Sequence, residues 1–174
     1  MVTDWDLTPK RVADSHVTLT QMMEVTDANI AGNVHGGAIM RLVDTAAGLA
    51  AIRHASGLCV TVAIDEMTFL EPVHIGDVLV LKASVTAAGR TSVEVGVRVD
   101  ALDPISGSTR HANSAYLVFV AVDEHGAPRP VPPLIAETET QKRRQREAAL
   151  RREARLAHKE AVKAARDSGS SDED

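Results

Sequence analysis

Residues 35–57, HGGAIMRLVDTAAGLAAIRHASG, constrain the fold more than any other stretch of the chain. The segment is dense in helix-permissive Ala, Leu, Met and Ile, and it predicts a long helix. Ile39, Leu42, Val43, Ala46, Ala47, Ala50 and Ala51 would cover most of that helix's circumference. A helix apolar nearly all round is expected to be buried, so the rest of the chain must wrap it. Asp44 is the anomaly. It would share its face with Met40, Ala47 and Ala51, which predicts a buried carboxylate. A buried carboxylate needs either a partner, such as a backbone group or an arginine, or a chemical role.

The wrapping material reads as strands. Val17, Leu19, Gln21 and Met23 alternate with Thr18, Thr20 and Met22 in a first strand, followed by the turn-rich TDANIAGN. After the helix come LCVTVAIDEMTFLEP, ending at Pro72, then DVLVLKASVTAA, TSVEVGVRVD and SAYLVFVAVD. In the third of these, Val93, Val95, Val97 and Val99 form one face. Ser92, Glu94, Gly96, Arg98 and Asp100 form the other, the pattern of a half-buried antiparallel strand. One strand, one long helix and four strands joined by short turns predict an α+β fold, an antiparallel sheet around a central helix.

Pro128, Pro130, Pro132 and Pro133 close this body as an extended linker. We divide the chain into a domain over residues 12–133 and a charged helical extension with an acidic tail over 134–174. Charge follows the same division. Residues 1–136 carry a net −6, residues 137–166 a net +5, and residues 167–174 four acids and no base. The extension has helix-forming composition but mostly alanine at its apolar positions. It is expected to be a solvated helix laced with salt bridges, with docking on the body or contact with an anionic partner as alternatives.

Composition excludes several classes. Four aromatics, Trp5, Phe69, Tyr116 and Phe119, are too few for a base-stacking nucleic-acid module. No run of 18 apolar residues predicts a membrane span, and the start of the chain lacks a secretory pattern, so a cytoplasmic location is expected. One cysteine, Cys59, allows no internal disulfide, and the seven histidines show no metal-ligand spacing.

Chemistry concentrates around the start of the helix. Gly36 and Gly37 open it, where backbone N–H groups lack intrahelical partners and the macrodipole is positive. Such an end can hold a developing oxyanion, and glycine lets a ligand approach the backbone. Gly36 precedes Asp44 by eight residues, about 12 Å along the axis at 1.5 Å per residue. Both can serve one site only if a substrate lies along the helix or a second subunit completes the pocket.

The pattern Asn29-x-x-Gly32-x-x-x-Gly36-Gly37 with Asp44 resembles the hotdog-fold acyl-CoA thioesterases. Thr61-Val62-Ala63-Ile64, Met67-x-Phe69, Val73-x-x-Gly76-Asp77, Gly89-Arg90-Thr91-Ser92 and Phe119-Val120-Ala121-Val122-Asp123 extend the resemblance over roughly residues 12–133. The similar branch is that of the bacterial broad-range and brain-type acyl-CoA hydrolases. The resemblance implies a hotdog fold dimerised through its sheets, as a homodimer or a trimer of dimers. It implies hydrolysis of acyl-CoA to free acid and CoA, with no cofactor beyond the CoA of the substrate and no metal.

It also assigns roles. Asp44 would be the base or the nucleophile. Asn29 would orient water or substrate from the other subunit, and the N–H of Gly36 or Gly37 would hold the thioester oxygen. Thr61 and Val62 would line the CoA arm. Arg90, with Thr91 and Ser92 in the same turn, would meet a CoA phosphate, which an acidic body otherwise repels. His35 is read chiefly as a helix-entry residue. Glu66 departs from the family, standing where a small polar residue is usual. A hydratase would need a His–acid pair, and the helix supplies no His on the Asp44 face. A non-catalytic acyl-CoA-binding sensor or interaction module is the remaining alternative.

Overall fold

The computed structural model describes residues 5–169. In chain order the elements are β1 (Lys10–Arg11), β2 (Val17–Met22), α1 (Gly36–Ala55), β3 (Cys59–Phe69), β4 (Val78–Ala88), β5 (Ser92–Leu102), β6 (Thr109–Ala121), β7 (Leu134–Ile135) and α2 (Glu139–Gly169). The five long strands form one antiparallel sheet in the order β2-β4-β5-β6-β3, and β1 pairs with β7 in a short parallel ribbon. This is the α+β arrangement expected, a sheet wrapped around one long helix. Residues 170–174, which hold three of the four acids of the tail, lie outside the described residues.

The inner face of the sheet is built by residues that alternate toward α1: Leu79, Leu81 and Val85 on β4, the four valines of β5, and Leu117 and Phe119 on β6. Across from them α1 presents Ala46, Ala47, Ala50 and Ala51, all fully buried. Small side chains let the helix axis sink close to the valine layer. At Gly48 a Cβ would already sit 3.6 Å from the Phe119 ring. β6 begins at Thr109, earlier than the sequence suggests. Its first residues, TRHAN, fall before the strand that the sequence predicts from Ser114, yet they pair with the end of β5, Val99–Leu102.

The proline segment is strapped across the C-terminus of α1. The His54 Nε2–H donates to the Pro132 carbonyl at 2.8 Å, and Arg129 Nη2 donates to the Ala55 carbonyl at 2.9 Å. Arg129 thus supplies a cation and a donor where helix carbonyls are unpaired and the dipole is negative. Its guanidinium also lies 4.5 Å from the centre of the Trp5 ring. A Cβ at Gly57 would collide with Arg129 Nη2, so this cap requires glycine there.

Three expectations need correction. Asp44 is exposed, because α1 buries only part of its circumference within one chain; Met40, Leu49 and Ile52 are exposed with it. The second face of β5 is covered: Glu94 and Asp100 are buried. The cover over Glu94 is α2, which is docked rather than solvated. Ala148 is buried against the body, and Arg151 donates from both Nε and Nη2 to the Glu94 carboxylate at 3.1 and 2.7 Å. The same guanidinium stacks 3.6 Å from the centre of the Tyr116 ring, and Arg155 pairs with Asp65.

Candidate active site

Asp44 stands two turns into α1 on the side turned away from the β5 valines. Thr61, the third residue of β3, is opposite Phe119 in the strand register, so its side chain points to the inner face. There its Oγ1 donates to Asp44 Oδ1 at 2.7 Å. The hydroxyl fixes one carboxylate oxygen. Among the described residues no hydrogen bond is made to the other, Oδ2, which leaves that oxygen open. An exposed, oriented carboxylate with one oxygen open can accept a proton from water or attack an electrophile.

The start of the helix is organised separately. His35 is the N-cap, and its Nδ1 accepts the Gly37 N–H at 2.9 Å. Gly37 is therefore occupied, and of the two glycines Gly36 is the one whose N–H has no partner among the described residues. A Cβ at Gly36 would sit 3.4 Å from the ring of Phe69, at the far end of β3. Asn29 lies in the loop before the helix. Its Oδ1 accepts from Ala31 and Asn33 N–H at 2.8 and 3.2 Å, and this leaves its NH2 group available to a ligand.

The β4–β5 turn lies at the Thr61 end. Gly89 N–H donates to the Ser92 carbonyl at 2.7 Å, and Ala121 N–H donates to the Thr91 carbonyl at 3.0 Å. Ala121 is the register partner of Cys59, so the turn lies at the end of the sheet where β3 begins, near Thr61. Arg90 is exposed at its tip. Arg152 of α2 comes within 3.6 Å of where a Gly89 Cβ would sit, adding a second cation to this end. No sequence signal singles out Arg152, because the composition of its segment predicts a solvated helix whose charges meet water.

The predicted residues thus fall in two groups. Asp44, Thr61 and Val62 come together at mid-helix, with Arg90, Thr91 and Ser92 at the same end of the sheet. Asn29, Gly36 and Gly37 sit at the other end of α1. Val60, Val62 and Ile64 on β3 and Met40, Leu49 and Ile52 on α1 are exposed large hydrophobics. Burial pushes the nearby Cys59 thiol up to about 11, partly offset by the Arg129 charge, so it is a protonated spectator at neutral pH. Among the described residues no cluster of His, Cys, Asp or Glu is placed to hold a metal ion.

A family model described as Thioesterase superfamily matches residues 31–107. The mouse cytosolic acyl coenzyme A thioester hydrolase is 34% identical over 139 residues, covering 78% of this chain and 36% of that protein. This chain therefore spans about a third of the length of that relative. A solved apo-hexameric acyl-CoA thioesterase superposes with a TM-score of 0.84 at 36% identity, over 87% of this chain and 97% of the other. The Staphylococcus aureus acyl-CoA hydrolase, solved with butyryl-CoA, CoA and CoA disulfide, superposes with a TM-score of 0.84 at 30% identity, over 92% and 98%. Variants of the staphylococcal enzyme with alanine in place of an aspartate, an asparagine or a threonine have also been solved.

Proposed function

The chain belongs to the thioesterase superfamily, and from that membership we propose that it hydrolyses acyl-CoA thioesters to free acid and CoA. The observation that carries the proposal is Asp44, exposed at mid-helix and held through one oxygen by Thr61 at 2.7 Å. As a base, Asp44 takes a proton from water as the water oxygen attacks the thioester carbonyl. The resulting oxyanion is held by a helix-start N–H, and its collapse breaks the C–S bond as the CoA thiolate regains a proton. As a nucleophile, Asp44 forms an acyl anhydride and expels the thiolate, and water then cleaves the anhydride. Both routes use the same open oxygen and return the carboxylate unchanged.

Gly36 and Asp44 lie about 12 Å apart along one helix, too far to share one carbonyl. The site is accordingly completed by a second copy: Asp44, Thr61 and Val62 from one chain, Asn29 and Gly36 from the other. The apolar surface of α1 and β3 supports this, since an eleven-residue edge strand with exposed valines and isoleucine calls for a partner. The hexameric state named for one relative supports a trimer of such dimers here. Arg90 and Arg152 offer cations to the CoA phosphates at the β3 end. The test is direct: incubate the pure protein with acetyl-, butyryl- and palmitoyl-CoA and follow thiol release, comparing wild type with Asp44→Asn. Release by wild type alone is expected. Binding of acyl-CoA without release would favour the non-catalytic sensor.

A further inference from the structure

The path of α2 shows where its second half must lie. Arg144 lines a groove on the outer face of the sheet with Thr18 of β2, Lys82 of β4 and Arg98 of β5. Arg151 then meets Glu94 of β5 and Tyr116 of β6, and Arg155 meets Asp65 of β3. The helix therefore crosses the sheet from one side to the other, and Arg155 makes its last ion pair with the body among the described residues. Arg144 to Arg155 spans about 17 Å of helix, close to the roughly 19 Å of four strand spacings. β3 is the edge strand, yet α2 continues to Gly169. Fourteen residues, about 21 Å of helix, follow Arg155 in the direction of the β3 edge.

The face that docks on the body continues into this overhang as a basic one. Residues 148, 155, 159, 162 and 166 follow one another at helical spacing, so Lys159, Val162 and Arg166 extend the line of Ala148 and Arg155, with Lys163 beside them. The edge strand carries the opposite charge on the same side. Glu66 is paired in register with Tyr116, whose ring lies under Arg151, so Glu66 points to the outer face, and it is exposed. Within its own chain and among the described residues, α2 makes no ion pair with the body beyond Arg155. What lies beneath is whatever continues the sheet beyond β3.

We propose that the second half of α2 is a clasp that lies on the outer sheet face of a second copy of this chain, with Lys159 and Lys163 over the second copy's Glu66. The clasp rests on the dimer reading above, in which β3 strands of two copies adjoin. It deepens that reading, because the basic extension then serves to neutralise the acidic bodies across the seam. A two-fold axis provides two such arms, one from each chain. Their contribution is electrostatic, at a rim, and therefore salt-sensitive.

The test uses the full chain. Equal amounts of unlabelled and 15N-labelled protein are mixed, allowed to exchange, and treated with a zero-length carbodiimide cross-linker. Mixed-isotope cross-links from Lys159 or Lys163 to Glu66 are expected. In parallel, sedimentation measures dimer dissociation for wild type and for Lys159→Glu/Lys163→Glu, with at least a tenfold weakening expected at low salt that shrinks at high salt. Cross-links confined to single isotopes, or a dimer unweakened by charge reversal, would overturn the clasp while leaving the dimer reading standing. A wild-type chain that sediments as a monomer throughout would overturn both. If the double variant misfolds, the isotope result on the wild-type chain decides alone.

Discussion

Thr61 and Asp44 lie 17 residues apart in sequence, and their 2.7 Å hydrogen bond is what turns a surface carboxylate into an oriented one. Asp44→Asn keeps the volume and can still meet the Thr61 hydroxyl, but it can neither accept a proton nor attack. Turnover should fall by roughly 10²–10⁴-fold with an unchanged melting temperature. Turnover near wild type would remove Asp44 from the chemistry. Thr61→Val tests orientation alone: kcat should fall about tenfold or more while KM for acyl-CoA moves little, the pattern of an interaction that matters in the transition state. The presence of an acid in this helix was legible in the sequence. Its exposure was not, because an apolar helix face reads the same whether it is covered by its own chain or by another. The Thr61 contact was equally hidden, since it joins a helix and a strand across 17 residues that no local spacing rule relates.

A second residue carries a pH signature. Burial holds the His54 imidazole below its ordinary value of 6.5, outweighing the opposing Pro132 hydrogen bond. The native state thus binds fewer protons than the unfolded state as pH falls through about 6.5, and stability is lost in that direction; above about pH 7.5 His54 contributes little pH dependence. Melting temperature should drop between about pH 7 and about pH 5.5. His54→Gln, which keeps a donor for the Pro132 carbonyl, should flatten that slope. Parallel curves for the two proteins would show that other groups dominate the acid limb.

α2 is where element-level reasoning from sequence failed. Its docking line consists of Ala148, Arg151 and Arg155, and no hydrophobic stripe marks it. The attachment comes from aliphatic stems, a ring stack and two ion pairs, and their carboxylate ends, Glu94 and Asp65, looked like the polar positions of half-buried strands. The strands and α1, by contrast, were legible because alternation and all-round apolarity are local signals. The distinction has a measurable consequence. Arg151→Met strands Glu94 in a buried position with the Thr86 hydroxyl, at 2.6 Å, as its remaining side-chain partner. The expected loss is about 3 kcal/mol in urea unfolding, against less than about 1 kcal/mol for a solvent-exposed pair. Replacing Glu94 by Gln in the same protein should restore much of it. A loss no larger than that of an exposed pair would mean that α2 adds little to the stability of the body.

For the whole molecule, the two groups of site residues and the exposed apolar residues of α1 and β3 have one economical explanation. In the dimer proposed above, a single chain holds half of each site, and two chains pressed together along α1 and β3 hold two complete ones. The dimer is what the family resemblance implies, and the chain's own residues supply its reason: α1 is apolar nearly all round because one side faces the sheet and the other is expected to face a second copy. The measurement that bears most directly on this is complementation. Asn29→Ala and Asp44→Ala are each expected to be inactive, with defects in different halves of the site. Mixed in equal amounts and allowed to exchange, they should recover roughly a quarter of wild-type turnover, since half the dimers are mixed and each has one intact site. No recovery, with exchange demonstrated by mass, would place Asn29 and Asp44 in the same chain's site and contradict the shared one.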